Sequence, residues 1–178
     1  MTCNCAPDEV VIHRDGRETG KSVSLVADAL HYAFITQGGL ALIAAPFQGH
    51  LDTLIEELDF QVESSEPLAA SVARNRYGNQ KIVRKPYYRI EFTNGSVLHF
   101  RPAGAYGEAF RSLHVNRLYV DEAAWIPEKA WKALRMCLLP GGRMRVYSTP
   151  NGLHDTTYFR LTQNPNYRQF HWPSWIHP

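Results

Sequence analysis

Cysteine, long apolar runs and a dominant charge are all scarce in this chain of 178 residues, and each scarcity excludes something. Of three cysteines, Cys3 and Cys5 sit near the N-terminus and Cys137 lies far away, so neither a disulfide framework nor a four-ligand zinc site is expected. The longest apolar run, Leu40 to Ala45, is far short of the roughly 20 residues that span a bilayer, and the N-terminus has no apolar stretch of the signal-peptide kind. The expectation is a soluble, intracellular chain with no membrane partner. Lys plus Arg number 19 against 17 Asp plus Glu, a net charge of +2, so any basic surface has to be local. His99, His114, His154, His171 and His177 show no metal-site spacing.

What is present suffices for one domain: 44% of residues are hydrophobic, ample for a single core at this length, and two full domains are not expected. Strand-like and helix-like segments alternate, which predicts an α/β domain. Strands are expected at Glu9 to His13, Leu40 to Ala45, Arg117 to Val120, Arg143 to Ser148 and Tyr167 to His171. Tyr88 to Phe92 and Val97 to Arg101 flank Thr93-Asn94-Gly95-Ser96, a turn sequence that predicts a β-hairpin. Helices are expected at Ser22 to Thr36, with Val23, Val26, Leu30 and Phe34 on one face, and at His50 to Leu58, Glu128 to Leu139 and Thr156 to Gln163. Asp59 to Lys85 is polar, weakly periodic and basic, with Arg74, Arg76, Lys81, Arg84 and Lys85; it suits either a DNA-backbone surface or a solvated charge run.

Three segments carry chemistry. Gly20-Lys21-Ser22 closes a turn between the first strand and the first helix. Backbone N–H groups at a helix N-terminus cradle phosphates, Lys21 neutralises them and the Ser22 hydroxyl can ligate Mg²⁺, as in a Walker A loop. Asp15 stands where the first glycine of that pattern would be. Next, Leu118-Tyr119-Val120 runs into Asp121-Glu122, placing two carboxylates at the carboxyl edge of a strand, where open α/β sheets bind ligands. Asp121 would hold Mg²⁺ through water and Glu122 would activate the attacking water, whereas a plain helix cap is the alternative for an isolated Asp-Glu pair. Finally, Ser148-Thr149-Pro150-Asn151-Gly152 follows a strand, and Thr149 is a candidate sensor of the terminal phosphate if it is more than a turn residue.

Arg17 to Ser22, Ala45-Pro46-Phe47-Gln48, Leu118 to Pro127 and Ser148 to Gly152, in this order and spacing, resemble the ATPase domain of large terminase subunits, the DNA-packaging motors of tailed bacteriophages and related viruses. The resemblance runs from about Val10 to Trp172. It implies a RecA-like P-loop NTPase fold of the type with an extra strand between Walker A and Walker B: a central, mostly parallel sheet flanked by helices, with a β-hairpin insertion. It implies ATP and Mg²⁺ as cofactors and translocation of double-stranded DNA into a procapsid. Portal protein, small terminase subunit and further copies in a ring are the implied partners, and the host cytoplasm is the implied setting. The nucleotide would contact Gly16, Arg17, Glu18, Thr19, Gly20, Lys21, Ser22 and Asp121, with Ser22 and Asp121 on the metal.

The same resemblance gives Arg17 a contact to the phosphates from within the subunit. It makes Arg111, ten residues before Asp121, a finger on a neighbouring subunit's ATP. Gln48 sits where the family couples nucleotide state to movement, and Asp15 would bring negative charge near the phosphates. The implied division is a tail at 1–8, the ATPase domain at 9–172 and the start of a linker at 173–178, with the family's nuclease domain outside this chain. Another nucleic-acid-dependent P-loop ATPase, helicase-like, and a non-hydrolysing ATP-switched assembly module are the alternatives.

Overall fold

The computed structural model describes residues 9–16 and 18–176, so the N-terminal tail, Cys3, Cys5 and Arg17 lie outside the described residues. In chain order the elements are β1 (Val10–Asp15), α1 (Lys21–Ile35), β2 (Leu40–Ala45), α2 (Gln48–Glu63), α3 (Glu66–Ser71), β3 (Ile82–Val83), β4 (Arg89–Glu91) and β5 (Val97–Pro102). They continue as β6 (Val115–Val120), α4 (Glu128–Met136), β7 (Leu138–Ser148), α5 (Thr157–Thr162) and β8 (Arg168–Trp172). The strands form one eight-stranded sheet in the order β3-β4-β5-β2-β6-β7-β1-β8. Every neighbouring pair from β5 to β8 is parallel, while β4 runs antiparallel to β5, the expected hairpin, and also to β3, a two-residue strand within the stretch 59–85 where none was expected. No helix among the described residues is long and apolar enough to cross a membrane.

Side-chain alternation along the strands sends two cores to opposite faces. Ala41, Ile43 and Ala45 of β2 join Tyr119 and Tyr147 against α1 and α2, while Leu42 and Ala44 join Leu118, Val120, Met144 and Val146 against Trp131 and Leu134 of α4 and Tyr158 and Leu161 of α5. Trp131 and Phe110 are both buried, as packing residues should be.

Several boundaries differ from expectation for identifiable reasons. The α1 face that packs is Leu25, Val26, Ala29, Leu30 and Ala33, whereas Val23 and Phe34 are about half exposed, at 50% and 46%. Ala29 and Ala33 let α1 lie close to the sheet beside Leu25, Val26 and Leu30, while Val23 and Phe34 stand off that face. α2 runs on past Leu58 because Val62, one turn later, is also buried. Helix α4 stops at Met136, and β7 begins at Leu138, earlier than Arg143. Its pairing with β6 shifts register between Val115 and Arg117, which lets Pro140 and Gly141 remain within the strand as an irregularity.

Candidate active site

Parallel pairing brings the strand ends level. Arg14 pairs with Ser148, Val120 with Val146, and Ala44 with Val120, so the residues that follow β1, β2, β6 and β7 leave the sheet along one edge. A cleft of about 830 Å³ opens there. Its walls are Glu18 to Val23 from the loop and the start of α1, Phe47 and His50 from the β2–α2 junction, Glu122 and Trp125 after β6, and Thr149 to Asn151 after β7.

The loop between β1 and α1 is held from several sides. Gly20 has φ 78°, a left-handed conformation in which glycine alone is unstrained, and it turns the chain into α1. Lys21 Nζ donates to the Gly16 carbonyl at 2.6 Å and to Thr149 Oγ1 at 3.1 Å, and Thr19 Oγ1 donates to the same Gly16 carbonyl at 3.0 Å. The ammonium thus already bridges from the loop to the end of β7. Gly16 is needed for a different reason: an added Cβ would lie 2.1 Å from Ser174 Oγ and 2.5 Å from Ser174 N, because the segment after β8 is seated on the loop.

The two carboxylates after β6 have different surroundings. Asp121 is buried, and burial together with the neighbouring Glu122 charge pushes its carboxyl up to about 7. Glu122 is partly exposed on the cleft and adopts φ 44°, ψ 45°, a left-handed conformation that costs a non-glycine residue roughly 1–2 kcal/mol. At that backbone turn the chain leaves the line of β6, and Glu122 lines the cleft. Two hydrogen bonds lock this turn to the β7 exit: the Ala124 N–H donates to Ser148 Oγ at 3.0 Å and Asn151 Nδ2 donates to the Ala124 carbonyl at 2.9 Å.

The expected site residues therefore separate clearly. Glu18, Thr19, Gly20, Lys21, Ser22, Glu122 and Thr149 share the cleft; Gly16 and Asp121 lie just behind it, in contact with Lys21 through a hydrogen bond and through its charge respectively. Arg17 lies outside the described residues. Arg111 is elsewhere, in a groove of about 370 Å³ with His114, Lys129 and Lys132, and does not reach its own chain's cleft. Asp15 is buried and accepts the Trp172 N–H at 3.2 Å, with burial raising its pKa, so it braces β8 instead of presenting a free charge to the cleft. Gln48 donates to Asp52 at 2.8 Å on the surface of α2 and does not line the cleft, whereas its neighbours Phe47 and His50 do. Trp125 is 57% exposed on the cleft wall. Local sequence offers no period or spacing that would single out Phe47, His50 or Trp125. The basic stretch is partly neutralised, as Lys81 pairs with Glu91 and Arg84 with Asp59, each at 3.1 Å.

A hydroxyl and carboxylates beside a lysine form a donor set suited to a phosphate chain and a hard divalent cation. Mg²⁺ is usually held by one or two protein oxygens, the rest of its shell being water and phosphate. Ser22 and Asp121 fit that role, and a cation beside Asp121 would favour its ionised form against the burial and the Glu122 charge that raise its pKa. Among the described residues there is no group of three or more His, Cys, Asp or Glu side chains that would make a closed metal cage.

Residues 14–163 match the family model described as terminase large subunit, T4likevirus-type, N-terminal. No curated protein is matched. Among solved structures, the ATPase domain of the Thermus phage P74-26 large terminase is similar with a TM-score of 0.73 at 18% identity, covering 96% of this chain and 78% of that one. A second large terminase, from a thermophilic bacteriophage and in complex with ADP, is similar with a TM-score of 0.68 at 17% identity, over 93% of this chain and 40% of that one. The complex of that terminase with ATP-γ-S gives 0.63 at 18%, over 93% and 39%. At these identities the likeness shows the fold, a RecA-like domain with a mostly parallel sheet.

Proposed function

This chain belongs to the large-terminase family, in its T4-like N-terminal type, and from that premise we propose that it is a Mg-ATP-hydrolysing motor domain that drives double-stranded DNA into a viral procapsid. One observation carries the reading: Lys21 spans from the phosphate-type loop to Thr149 on the same cleft that Glu122 enters, with β7 lying between β1 and β6. That convergence has no purpose in a helix cap or a surface turn.

The chemistry follows from these positions. Lys21 exchanges the Gly16 carbonyl and Thr149 hydroxyl for the β and γ phosphates, while the N–H groups at the start of α1 receive the remaining oxygens. Ser22 and Asp121 would hold Mg²⁺, which supplies charge neutralisation on the phosphates. Glu122 takes the proton from a water whose oxygen attacks the γ phosphorus; the bond to the bridging oxygen breaks, and ADP and phosphate result. Thr149, relieved of Lys21, meets the γ phosphate, and loss of that phosphate returns the Lys21–Thr149 bond. Because Asn151 and Ser148 hold the Ala124 turn, this exchange is felt at both strand exits. Arg17 contributes a second cation to the phosphates from the same chain. Arg111, which lines a separate groove and not its own chain's cleft, acts on the nucleotide of an adjacent copy in a ring. Portal protein and the small terminase subunit complete the machine in the host cytoplasm.

Steady-state phosphate release with and without double-stranded DNA tests this function. Turnover that double-stranded DNA stimulates is expected, and Glu122→Gln should lower it by about 10²- to 10⁴-fold while Mg-ATP still binds. Hydrolysis retained in that variant removes Glu122 as the base; strand separation coupled to turnover would favour a helicase-like ATPase instead.

A further inference from the structure

Strand order sets the direction in which a nucleotide crosses the loop. β7 and β6, which carry Thr149 and Glu122, lie on one side of β1, and β8 lies on the other. A nucleotide with its terminal phosphate at Thr149 and Glu122 would lay the rest of its phosphate chain over Gly20 and Lys21 and extend its nucleoside toward β8. A second, smaller cleft of about 200 Å³ opens there, lined by Asp15, Thr19, Gly20, Lys21, Ser24 and Trp172. Trp172 is its one aromatic wall among the described residues. Phe47 and Trp125 are also exposed aromatics, but they line the large cleft together with Glu122 and Thr149.

We propose that Trp172 is the nucleobase platform of this domain, its indole stacking on the base of a bound nucleoside triphosphate; this rests on nucleotide binding at Gly16 to Ser22. Trp172 is 36% exposed, while its main chain is fixed to the loop: the Trp172 N–H donates to Asp15 Oδ1 at 3.2 Å and the Gly16 N–H donates to the Trp172 carbonyl at 2.7 Å. Parallel pairing of Asp15 with Trp172, and His171 Nδ1 at 2.6 Å from the Arg14 carbonyl, continue the attachment down the strands. The indole therefore projects from a rigid root beside the phosphates, at a distance set by backbone bonds that side-chain truncation leaves in place. Every base presents a π-face, so stacking here supplies affinity without choosing between adenine and guanine.

The test is calorimetric titration of Mg-ATP, Mg-GTP and Mg-tripolyphosphate, the last having the phosphate chain without a nucleoside. Wild type, Trp172→Ala, Trp172→Phe and Lys21→Ala are compared after thermal melts confirm folding. Trp172→Ala should weaken ATP and GTP alike, by about 5- to 100-fold, and leave tripolyphosphate within about twofold; Trp172→Phe should recover most of the loss. Equal weakening of tripolyphosphate would reduce Trp172 to a support for the loop, and unchanged ATP affinity in Trp172→Ala would place the base elsewhere; either overturns the proposal. The underlying nucleotide reading fails separately, if wild type binds none of the three or if Lys21→Ala binds all three as wild type does, and the Trp172 assignment then falls with it.

Discussion

Replacing Gly16 with alanine adds a single methyl where the phosphate-type loop and the segment after β8 touch. The new Cβ would stand 2.1 Å from Ser174 Oγ, 2.5 Å from Ser174 N and 2.9 Å from Ser174 Cα, and two of those atoms are main chain, which no rotamer change can move. Withdrawal of the loop is opposed as well. The Gly16 N–H is bonded to the Trp172 carbonyl at 2.7 Å, and the Gly16 carbonyl receives both Lys21 and Thr19. Overpacking of this kind costs about 1–3 kcal/mol, and a lost hydrogen bond adds about 1 kcal/mol. Together they imply a melting temperature lower by roughly 4–16 °C for a domain of this size. Differential scanning calorimetry measures that loss, and titration with Mg-ATP should show weaker binding in the same variant, because the displaced loop is the one that carries Lys21. Adding Ser174→Gly removes the hydroxymethyl side chain but leaves the main-chain approaches at 2.5 and 2.9 Å, so the double variant should recover part of the loss and no more. A Gly16→Ala protein that melts within about 1 °C of wild type and binds Mg-ATP unchanged would refute the seating of Ser174 on the loop.

Thr149→Val keeps shape and removes the hydroxyl that meets Lys21; single-turnover kinetics should show kcat lower by about 10- to 100-fold, with Mg-ATP affinity within about threefold, and unchanged kcat would end its sensor role. Arg111→Ala and Glu122→Gln proteins should each be inactive alone and regain turnover when mixed, since one supplies an intact base and the other an intact finger; no regain would remove the action between copies. His13 is buried between Tyr147 and Phe170, with ring centroids at 4.3 and 5.3 Å, and burial and the Arg145 charge lower its pKa to about 4. Its 3.8 Å approach to Asp15 is therefore not an ion pair at neutral pH. The unfolded chain takes up this proton near pH 6.5 and the folded one only near pH 4, so the stabilisation is complete above pH 6.5 and is lost as pH falls toward 4. The loss reaches about 3 kcal/mol over that interval. His13→Phe keeps an aromatic ring in the stack, and urea unfolding at pH 5 and 7.5 should show a smaller acid loss than in wild type; an equal loss would refute the assignment.

That Lys21, Glu122 and Thr149 meet at one sheet edge was legible because each is encoded locally. A glycine-lysine-serine turn before a helix, a strand ending in Asp121-Glu122 and a strand ending in Ser148-Thr149 each announce themselves within a few residues, and parallel pairing then levels their ends. The hairpin was legible for the same reason, since Asn94-Gly95 specifies its turn. What escaped were relations between distant parts of the chain. Asp15, which in sequence is only a departure from a glycine, turns out to hold β8 through Trp172. Asn151, which in sequence is only a turn residue, holds the turn after β6 through Ala124.

The misjudged face of α1 belongs to the same class. Periodicity weighs bulky apolar side chains, so it favoured Val23 and Phe34, whereas the buried face includes Asp28 beside Ala29 and Ala33. Asp28 is buried because its partners are: Arg145, fully buried on β7, places Nε 3.9 Å from Asp28 Oδ2, and Tyr119 on β6 donates its hydroxyl to the Asp28 carbonyl at 3.2 Å. A charge in a strand looks solvent-facing until the opposing carboxylate is known, and burying one without the other would be strongly unfavourable. These contacts join α1, whose first residues are Lys21 and Ser22, to the two strands that end at Glu122 and Thr149. The buried charge that made the packed face of α1 hard to read is thus one that registers the loop lysine against the carboxylate and hydroxyl with which it shares the cleft.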